Sequence, residues 1–244
     1  MMFLLRSSME STSGGYVTPH LHVPQEVWSQ GGAKLNNLAE KNRAISIIAN
    51  AMKELQNGSS EIFGPGNVCS GFGMGIGSIG PKEVDAWMAK LDEFSGACDA
   101  VVSSFGKKLS VGEGFAVKKN KWGDKWSEKM TRKFDKLNFT GAGKNLDSPS
   151  EYVMGLRGLF KDAQLLDEHT RAVLMHNTTS SLYNPVQAPS SSYHAFPMDY
   201  RVAVEARLKR SSEFFASVLL TFVVRDLSLL LDKYVKKCEK WLAE

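Results

Sequence analysis

The chain has 244 residues, of which 43% are hydrophobic and 23% are charged, and its formal net charge is +4. These values are ordinary for a soluble globular protein of one large or two small domains, and the chain is long enough to bury a substantial core. Its three cysteines, Cys69, Cys98 and Cys238, are an odd and widely spaced set. This spacing argues against a disulfide framework or a zinc site and favours reduced thiols in a cytosolic protein.

The first 34 residues are rich in Ser, Gly, Thr, Pro and His and show no hydrophobic periodicity, which predicts a flexible N-terminal arm at residues 1–34 that can dock locally through Val27 and Trp28. The four apolar residues after the first methionine are too short a run for a signal-peptide core, which needs roughly 7–15. We expect the rest of the chain, residues 35–244, to form a single helical-bundle domain. The start, with two methionines and no obvious domain opening, also allows this sequence to be the C-terminal piece of a longer protein.

The first long helix is predicted at residues 37–56. Asn37 is a favourable N-cap residue, and Glu40 three positions later completes a pattern like a capping box. Apolar residues then recur at helical spacing. Asn57-Gly58 is expected to end the helix, because glycine is common just after a helix C-terminus.

A loop with seven glycines follows at residues 64–80. Its sequence Gly75-Ile-Gly77-Ser-Ile-Gly80 matches the G-x-G-x-x-G pattern that holds phosphate groups at the start of a helix. That function requires a preceding strand in a βαβ unit, and residues 64–74 offer none. We therefore interpret the glycines as a mobile connection between two helices, and an enzyme that binds a phosphate ligand here is the third hypothesis.

Two further long helices are predicted at residues 81–106 and 149–176. The first has Pro81 in its first turn and a continuous apolar face over about six turns. The second has Ser148 as its expected N-cap and Glu151 at the capping-box position.

The last helix is predicted at residues 199–242, after a linker rich in Ser, Thr and Pro at residues 177–198. It contains no Pro or Gly, and one helix of this length would span about 66 Å at 1.5 Å per residue. Residues 214–224 are apolar on nearly every side, so other helices or lipid must cover them. These eleven residues are fewer than the roughly 18–20 that span a bilayer, so we favour the core of a helical bundle.

The positive charge is concentrated in residues 107–144, the basic segment, which carries eleven Lys or Arg and four acidic residues, a local net charge of +7. We expect a basic helical hairpin here. Clusters of about four to eight basic residues bind anionic lipid, and tryptophan is suited to the membrane interface. Solvated surface lysines are the alternative, and nucleic acid is disfavoured because no RNP motif, zinc finger or recognition helix is present. The predicted membrane- or anion-binding residues are Lys118, Lys119, Lys121, Trp122, Lys125, Trp126, Lys129, Arg132, Lys133 and Lys136.

The end of the last helix is amphipathic and is the predicted partner-binding surface. One face carries Val223, Leu227, Leu230, Tyr234, Cys238 and Trp241, and lysines lie on the other faces. Of this face, Leu227, Leu230, Tyr234 and Trp241 are the predicted partner-binding residues. Because an apolar stripe at helical spacing packs against another helix, we expect a protein partner or self-association through this C-terminal helix.

No constellation in the sequence indicates catalysis, a cofactor or a metal site. G-x-S-x-G, H-E-x-x-H and Cys–His signatures are all missing from the sequence. His169 and His176 are seven residues apart on one predicted helix, whereas helical metal ligands are usually three or four apart, so we expect surface histidines. The sequence therefore predicts a protein that is not an enzyme.

The sequence predicts an all-α fold, an elongated antiparallel bundle of three to four long helices with a basic helical hairpin inserted at residues 107–144. In general shape this prediction is similar to the long-helix bundles of BAR-type membrane-curvature modules and their sorting-nexin relatives. The resemblance implies a non-catalytic cytoplasmic scaffold, peripheral to a membrane, that binds anionic phospholipid surfaces in membrane trafficking. The alternative is an adaptor subunit of a larger complex that binds only proteins.

Overall fold

The computed structural model of the protein describes residues 1–64, 79–111, 115–117, 149–178, 193 and 196–244. Of these residues 77% are helical and 4% lie in strands, so the predicted all-α class is confirmed. The helices, numbered in chain order, are α1 (Met2–Glu10), α2 (Gln25–Trp28), α3 (Leu38–Phe63), α4 (Pro81–Phe105), α5 (Ser150–Asp162), α6 (Gln164–Thr178), α7 (Met198–Phe214) and α8 (Leu220–Ala243).

Helices α7 and α8 form one continuous rod, joined by the π-helical segment Phe215–Leu219. Because the rod contains no Pro or Gly, nothing in its covalent structure interrupts the helix, and both of its ends lie within one residue of the predicted range. Most of the apolar middle is buried as expected, including Phe214, Phe222 and Val223. Val224 is an exception, because its side chain is exposed.

The N-terminal residues are regularly structured and packed, which corrects the prediction of a flexible arm. Helix α1 is followed by an antiparallel hairpin of strands β1 (Gly15–Thr18) and β2 (Leu21–Val23), and α2 comes shortly after it. The side chains of Val23 and Trp28 are buried, and the Trp28 indole donates a hydrogen bond of 3.1 Å to the Ser8 hydroxyl. These two short strands also correct the prediction that the chain contains no strand.

Helix α3 begins where it was predicted, but its capping contacts and its C-terminal end differ from the prediction. Asn37 is the N-cap residue, but its φ is 53° and its side-chain amide donates to the Lys108 carbonyl oxygen at 2.6 Å, so the predicted capping box is not formed. Glu40 instead accepts a hydrogen bond from Lys108, which lowers the pKa of the Glu40 carboxyl. The helix also continues through Gly58, where a Cβ would lie 2.9 Å from Lys90 Cγ on α4. Glycine at this position therefore serves a close approach of two helices rather than a helix end.

The second predicted helix is confirmed as α4, with Pro81 in its first turn. The third predicted helix is two helices, because a turn at Ala163 separates α5 from α6. Ala163 is buried and alanine is a strong helix former, so local propensity does not explain this break. Pro149 is the N-cap residue of α5, while the predicted cap Ser148 lies outside the described residues.

The described elements share one hydrophobic core. Helix α3 contacts both α4 and α5, and α7 contacts both α4 and α6. Helix α1 packs against α5 and β1, and α2 packs against α8. Residues that are distant in the sequence therefore pack around one core, and the elements that share this core are called the body.

Two arginines of α7 hold this helix against α4. Arg207 forms a bidentate ion pair with Asp92, at 2.7 and 3.0 Å, and Arg210 binds Asp99 at 2.5 Å. Arg210 also donates to the Ala116 carbonyl oxygen at 3.0 Å, in the stretch that follows α4. Charge-assisted hydrogen bonds are directional, so these pairs fix the position of α7 along α4.

A buried ion pair connects α3 to α8. Lys41 Nζ lies 2.6 Å from Asp226 Oδ1, and the Tyr152 hydroxyl of α5 donates to Asp226 Oδ2 at 2.7 Å. All three residues are at most 5% exposed. Burial, together with the charge of Asp226, raises the pKa of Tyr152 well above its usual value, so the phenol keeps the proton that it donates. One carboxylate thus joins three helices.

We expect Lys41→Met to lower the free energy of unfolding by about 3–5 kcal/mol, because it leaves the Asp226 carboxylate buried without its cation. The triple variant Lys41→Met/Asp226→Leu/Tyr152→Phe removes both charges and the hydroxyl that depends on them. It should be more stable than the single variant by about 2 kcal/mol or more. Urea denaturation of the variants and the natural chain measures these differences.

The matched control is Lys108→Met, which removes the ion pair between Lys108 and Glu40. Lys108 is 60% exposed, so this change should cost less than about 1 kcal/mol. Equal losses for Lys41→Met and Lys108→Met would show that the buried pair does not hold the helices together.

Candidate functional site

The His169 cluster consists of four polar side chains, Ser59, Trp87, His169 and Tyr193, together with the ring of Phe63. His169 is fully buried, its Nε2 lies 2.9 Å from Ser59 Oγ, and its Nδ1 lies 2.8 Å from the Tyr193 hydroxyl. Trp87 Nε1 donates to the same hydroxyl at 2.9 Å. The ring centroids of Phe63 and Trp87 are 5.2 and 4.5 Å from that of the imidazole. The cluster therefore connects α3, α4 and α6 with residue 193.

The Ser59–His169 pair has the spacing of a nucleophile and its general base, but the surroundings do not suit that chemistry. Burial lowers the pKa of His169 to about 3. The imidazole is consequently neutral at pH 7 and too weak a base to remove a proton from serine. Both ring nitrogens also lie within hydrogen-bond distance of protein hydroxyls, and Ser59 is buried. The cluster therefore acts as a neutral polar connection within the core.

The burial of His169 corrects the expectation of a surface histidine. Tyr193 and Phe196 fall inside the predicted linker, yet both are buried in the core. The sequence signal for them was the presence of large aromatic residues within a stretch of Ser, Thr and Pro, because aromatic side chains contribute strongly to core packing. In the part of the chain that the structure describes, no group of His, Cys, Asp and Glu is arranged to hold a metal ion.

The structure describes only the beginning of the basic segment. At its entry Phe115 is buried against Phe214, with ring centroids 5.6 Å apart, and Arg210 Cζ lies 4.7 Å from the centre of the Phe115 ring. The segment is thus attached to the body at the end of α7. All ten predicted membrane-binding residues lie outside the described residues: Lys118, Lys119, Lys121, Trp122, Lys125, Trp126, Lys129, Arg132, Lys133 and Lys136.

The glycine-rich loop lies outside the described residues at positions 65–78. Immediately before it the chain is helical, since α3 continues to Phe63. A strand in this place is what a dinucleotide-binding βαβ unit requires. The described flank therefore gives the phosphate-binding hypothesis no support.

The C-terminal end of α8 is uncovered by the body. Every residue from Val235 to Glu244 is exposed, whichever face of the helix it occupies, and this stretch is the α8 tip. Its helical residues form a rod about 13 Å long at 1.5 Å per residue. Trp241 and Leu242 are 75% and 76% exposed. The tip therefore presents large apolar side chains to solvent.

The four predicted partner-binding residues have different surroundings. Leu227 and Leu230 are buried in the core of the chain itself, whereas Tyr234 is half-buried and Trp241 is exposed. The stripe thus begins inside the body and ends in the α8 tip. Its exposed end, rather than the two leucines, is the part that another protein can reach.

The rod formed by α7 and α8 is, among the described helices, the one long and apolar enough to cross a membrane, with a window of mean hydropathy 2.0. This criterion considers length and composition alone, and half of that window is buried inside the protein. A core helix meets the same criterion, because apolar side chains suit both environments. The hydropathy of the rod is therefore weak support for a membrane span.

Comparison of the chain with protein-family models, with curated proteins and with solved structures found no match. The sites are accordingly interpreted from their own geometry. The His169 cluster and the Lys41–Asp226 pair are closed connections within the core, whereas the α8 tip and the basic segment are the candidate interaction surfaces.

The buried His169 predicts a stability that falls in mild acid. Its pKa is lower in the folded chain, about 3, than the value of 6.5 expected after unfolding, so the unfolded state binds more protons between these values. The stabilising contribution is complete above pH 6.5 and is lost as the pH falls. Between about pH 7.5 and pH 5 we expect the free energy of unfolding to drop by about 2 kcal/mol.

Urea denaturation at the two pH values measures this drop, and His169→Gln should remove it. The control His22→Gln changes an exposed residue of the hairpin and should retain the full pH dependence. The same pH dependence in both variants would contradict a proton-linked role of His169.

Proposed function

We propose that the protein is a non-catalytic cytoplasmic scaffold that binds anionic membrane through its basic segment and a protein through the α8 tip. The observation that carries the scaffold proposal is the exposure of the whole α8 tip, residues 235–244, on an intact helix. Exposed Trp241 and Leu242 are hydrated unfavourably, and a partner that covers them would recover that free energy.

The membrane part of the proposal is supported by charge. The basic segment holds a local net charge of +7, whereas the rest of the chain is close to −3. Each basic residue near an anionic bilayer contributes about 1 kcal/mol of binding free energy. Trp122 and Trp126 lie among these residues and have the amphipathic character of interfacial anchors. Together these features favour a peripheral role at membranes, as in membrane trafficking.

The same proposal includes the arrangement of the long helices as an elongated antiparallel bundle with the basic segment as a helical hairpin. The contacts of α3 with α4 and α5, and of α4 with α7, support this arrangement. An elongated bundle with one basic surface is the general shape of BAR-type modules, so the membrane role and the architecture agree.

The alternative is an adaptor subunit that binds only proteins. The α8 tip supports this alternative equally well, because exposed apolar residues do not require a membrane nearby. In that case the lysines of the basic segment are solvated and contribute no binding. Liposome binding separates the two proposals.

We expect Lys118→Gln/Lys119→Gln/Lys121→Gln/Lys125→Gln to weaken binding to anionic liposomes by two to three orders of magnitude, because four charges at about 1 kcal/mol each are removed. Co-sedimentation with liposomes of graded anionic lipid content, at low and physiological salt, measures the change. Binding of the natural chain should rise with anionic lipid and fall with salt.

The matched control removes the same number of charges from α8, where all four lysines are exposed: Lys233→Gln/Lys236→Gln/Lys237→Gln/Lys240→Gln. This variant should bind liposomes much more tightly than the basic-segment variant, although the net charge is equal. Equal loss in both variants would show that only overall charge matters. No binding of the natural chain at any lipid composition would favour the adaptor.

A further inference from the structure

Helix α8 carries a second stripe, which is exposed in the tip and partly exposed where the helix packs on the body. Val224 and Val235 are 47% and 50% exposed, whereas Leu231 is half-buried and also packs against the chain's own core. The stripe lies beside the buried face that contains Leu227 and Leu230. Its members recur at alternating steps of four and three residues, the heptad spacing by which two helices pack side by side. They are Val224, Ser228, Leu231, Val235, Cys238 and Leu242.

From this stripe we propose that α8 pairs with α8 of a second copy of the chain in antiparallel orientation. The proposal rests on the scaffold function and names the protein that the α8 tip binds. A twofold axis relates the copies, so that each contact occurs twice. The three distinct layers are Val224 against Leu242, Ser228 against Cys238 and Leu231 against Val235.

This pairing gives both halves of the stripe a cover. The α8 tip of one copy lies along the exposed stretch of the other copy's α8, around Val224 and Ser228. The contact extends over about 27 Å, from residue 224 to residue 242 at 1.5 Å per residue. The two bodies lie at opposite ends of this contact, because each body packs on the buried face of the first part of its own α8. The α8 tip therefore extends beyond its own body far enough to lie along the other copy's α8.

In the antiparallel pair two of the three charged positions beside the stripe are complementary, whereas the two copies of Asp232 face each other across the axis. Arg225 of one copy lies next to Glu239 of the other, at both ends of the contact, and both residues are exposed. Arg225 also donates to the Ser110 carbonyl oxygen, but a guanidinium has five N–H donors and can bind a carboxylate as well. Asp232 lies near the axis, where Lys236 of the same chain pairs with it at 2.8 Å.

A parallel pair lacks this complementarity. It would place Glu239 beside Tyr234 of the second copy and Asp232 beside Leu227, so that no opposite charges meet across the contact. It would also bring the two bodies side by side around the first part of α8. The two Arg225–Glu239 contacts therefore favour the antiparallel orientation, and the pairing of each Asp232 with Lys236 of its own chain reduces the repulsion at the axis.

Sedimentation equilibrium of the full chain under reducing conditions tests the pairing. At about 100 μM, well above a dissociation constant on the order of 10 μM expected for a small interface, the natural chain should be mostly dimeric. Arg225→Glu and Glu239→Arg should each weaken the dimer at least about tenfold, because like charges then face each other. The double variant Arg225→Glu/Glu239→Arg should restore it.

Within one chain these two residues are 14 positions apart on the same helix, about 21 Å, so restoration requires a contact between copies. Lys240→Glu reverses a charge on the side of α8 away from the stripe and should leave the dimer unchanged. A monomeric natural chain, dimerisation that ignores both reversals, or a double variant that stays monomeric would each overturn the proposal.

Disulfide trapping tests the orientation independently. Ser228→Cys should form a covalent dimer under mild oxidation, because residue 228 faces Cys238 of the second copy. Ser228→Cys/Cys238→Ser should not form it, because the two copies of residue 228 are far apart in the antiparallel pair. Equal crosslinking of both variants would contradict this orientation.

The dimer and the membrane site can fail separately. The charge-reversed variants leave the basic segment intact, so monomeric Arg225→Glu still reports on liposome binding. The four glutamine substitutions in the basic segment, in turn, leave the α8 stripe intact and should not change sedimentation. A monomeric chain that binds liposomes would refute the pairing alone, and a dimer that ignores liposomes would refute the membrane site alone.

Discussion

The position of α8 depends on one buried carboxylate, Asp226, which joins helices that the sequence separates widely. It binds the Lys41 ammonium at 2.6 Å and accepts the Tyr152 hydroxyl at 2.7 Å. Removing charges from water is costly, so this contact tolerates little displacement of its partners. It therefore determines where α8 lies against α3 and α5. Because α8 is held in its second turn, the rest of the helix has a defined direction away from the body.

That constraint connects the core to the proposed function. Leu227 and Leu230, directly after Asp226, are buried, whereas the residues from Val235 onward are exposed. A helix fixed at one end and uncovered at the other presents its apolar stripe in a constant orientation, which reduces the ordering cost of association. A dimer built on α8 would carry two basic segments, and two linked sites bind an anionic surface more tightly than one.

Long uninterrupted helices could be predicted from the sequence, whereas contacts between distant residues could not. The rod from Met198 to Ala243 was predicted within one residue at each end because it contains no Pro or Gly. The N-terminal hairpin was missed because its strands are short. Gly14, directly before the first strand, has a φ of +80° and no space for a Cβ beside the Val23 carbonyl oxygen. The sequence shows the glycine but not this conformation. The contact of Ser59 with His169 spans 110 residues, and no periodicity in a single sequence indicates such a pair. The stripe on α8 needed burial as well as spacing, because spacing alone also selects Leu227 and Leu230.

The α8 tip is an uncovered helix, and the proposed dimer would cover it with a second copy. Hydrogen exchange measured by mass spectrometry at low and high protein concentration tests this claim most directly, because it reports on the backbone of the tip itself. At low concentration the amides of residues 235–242 should exchange much faster than those of residues 220–230, and at high concentration they should become protected. If the amides of residues 235–242 were equally protected at low and high protein concentration, whether strongly or weakly, this result would contradict the account.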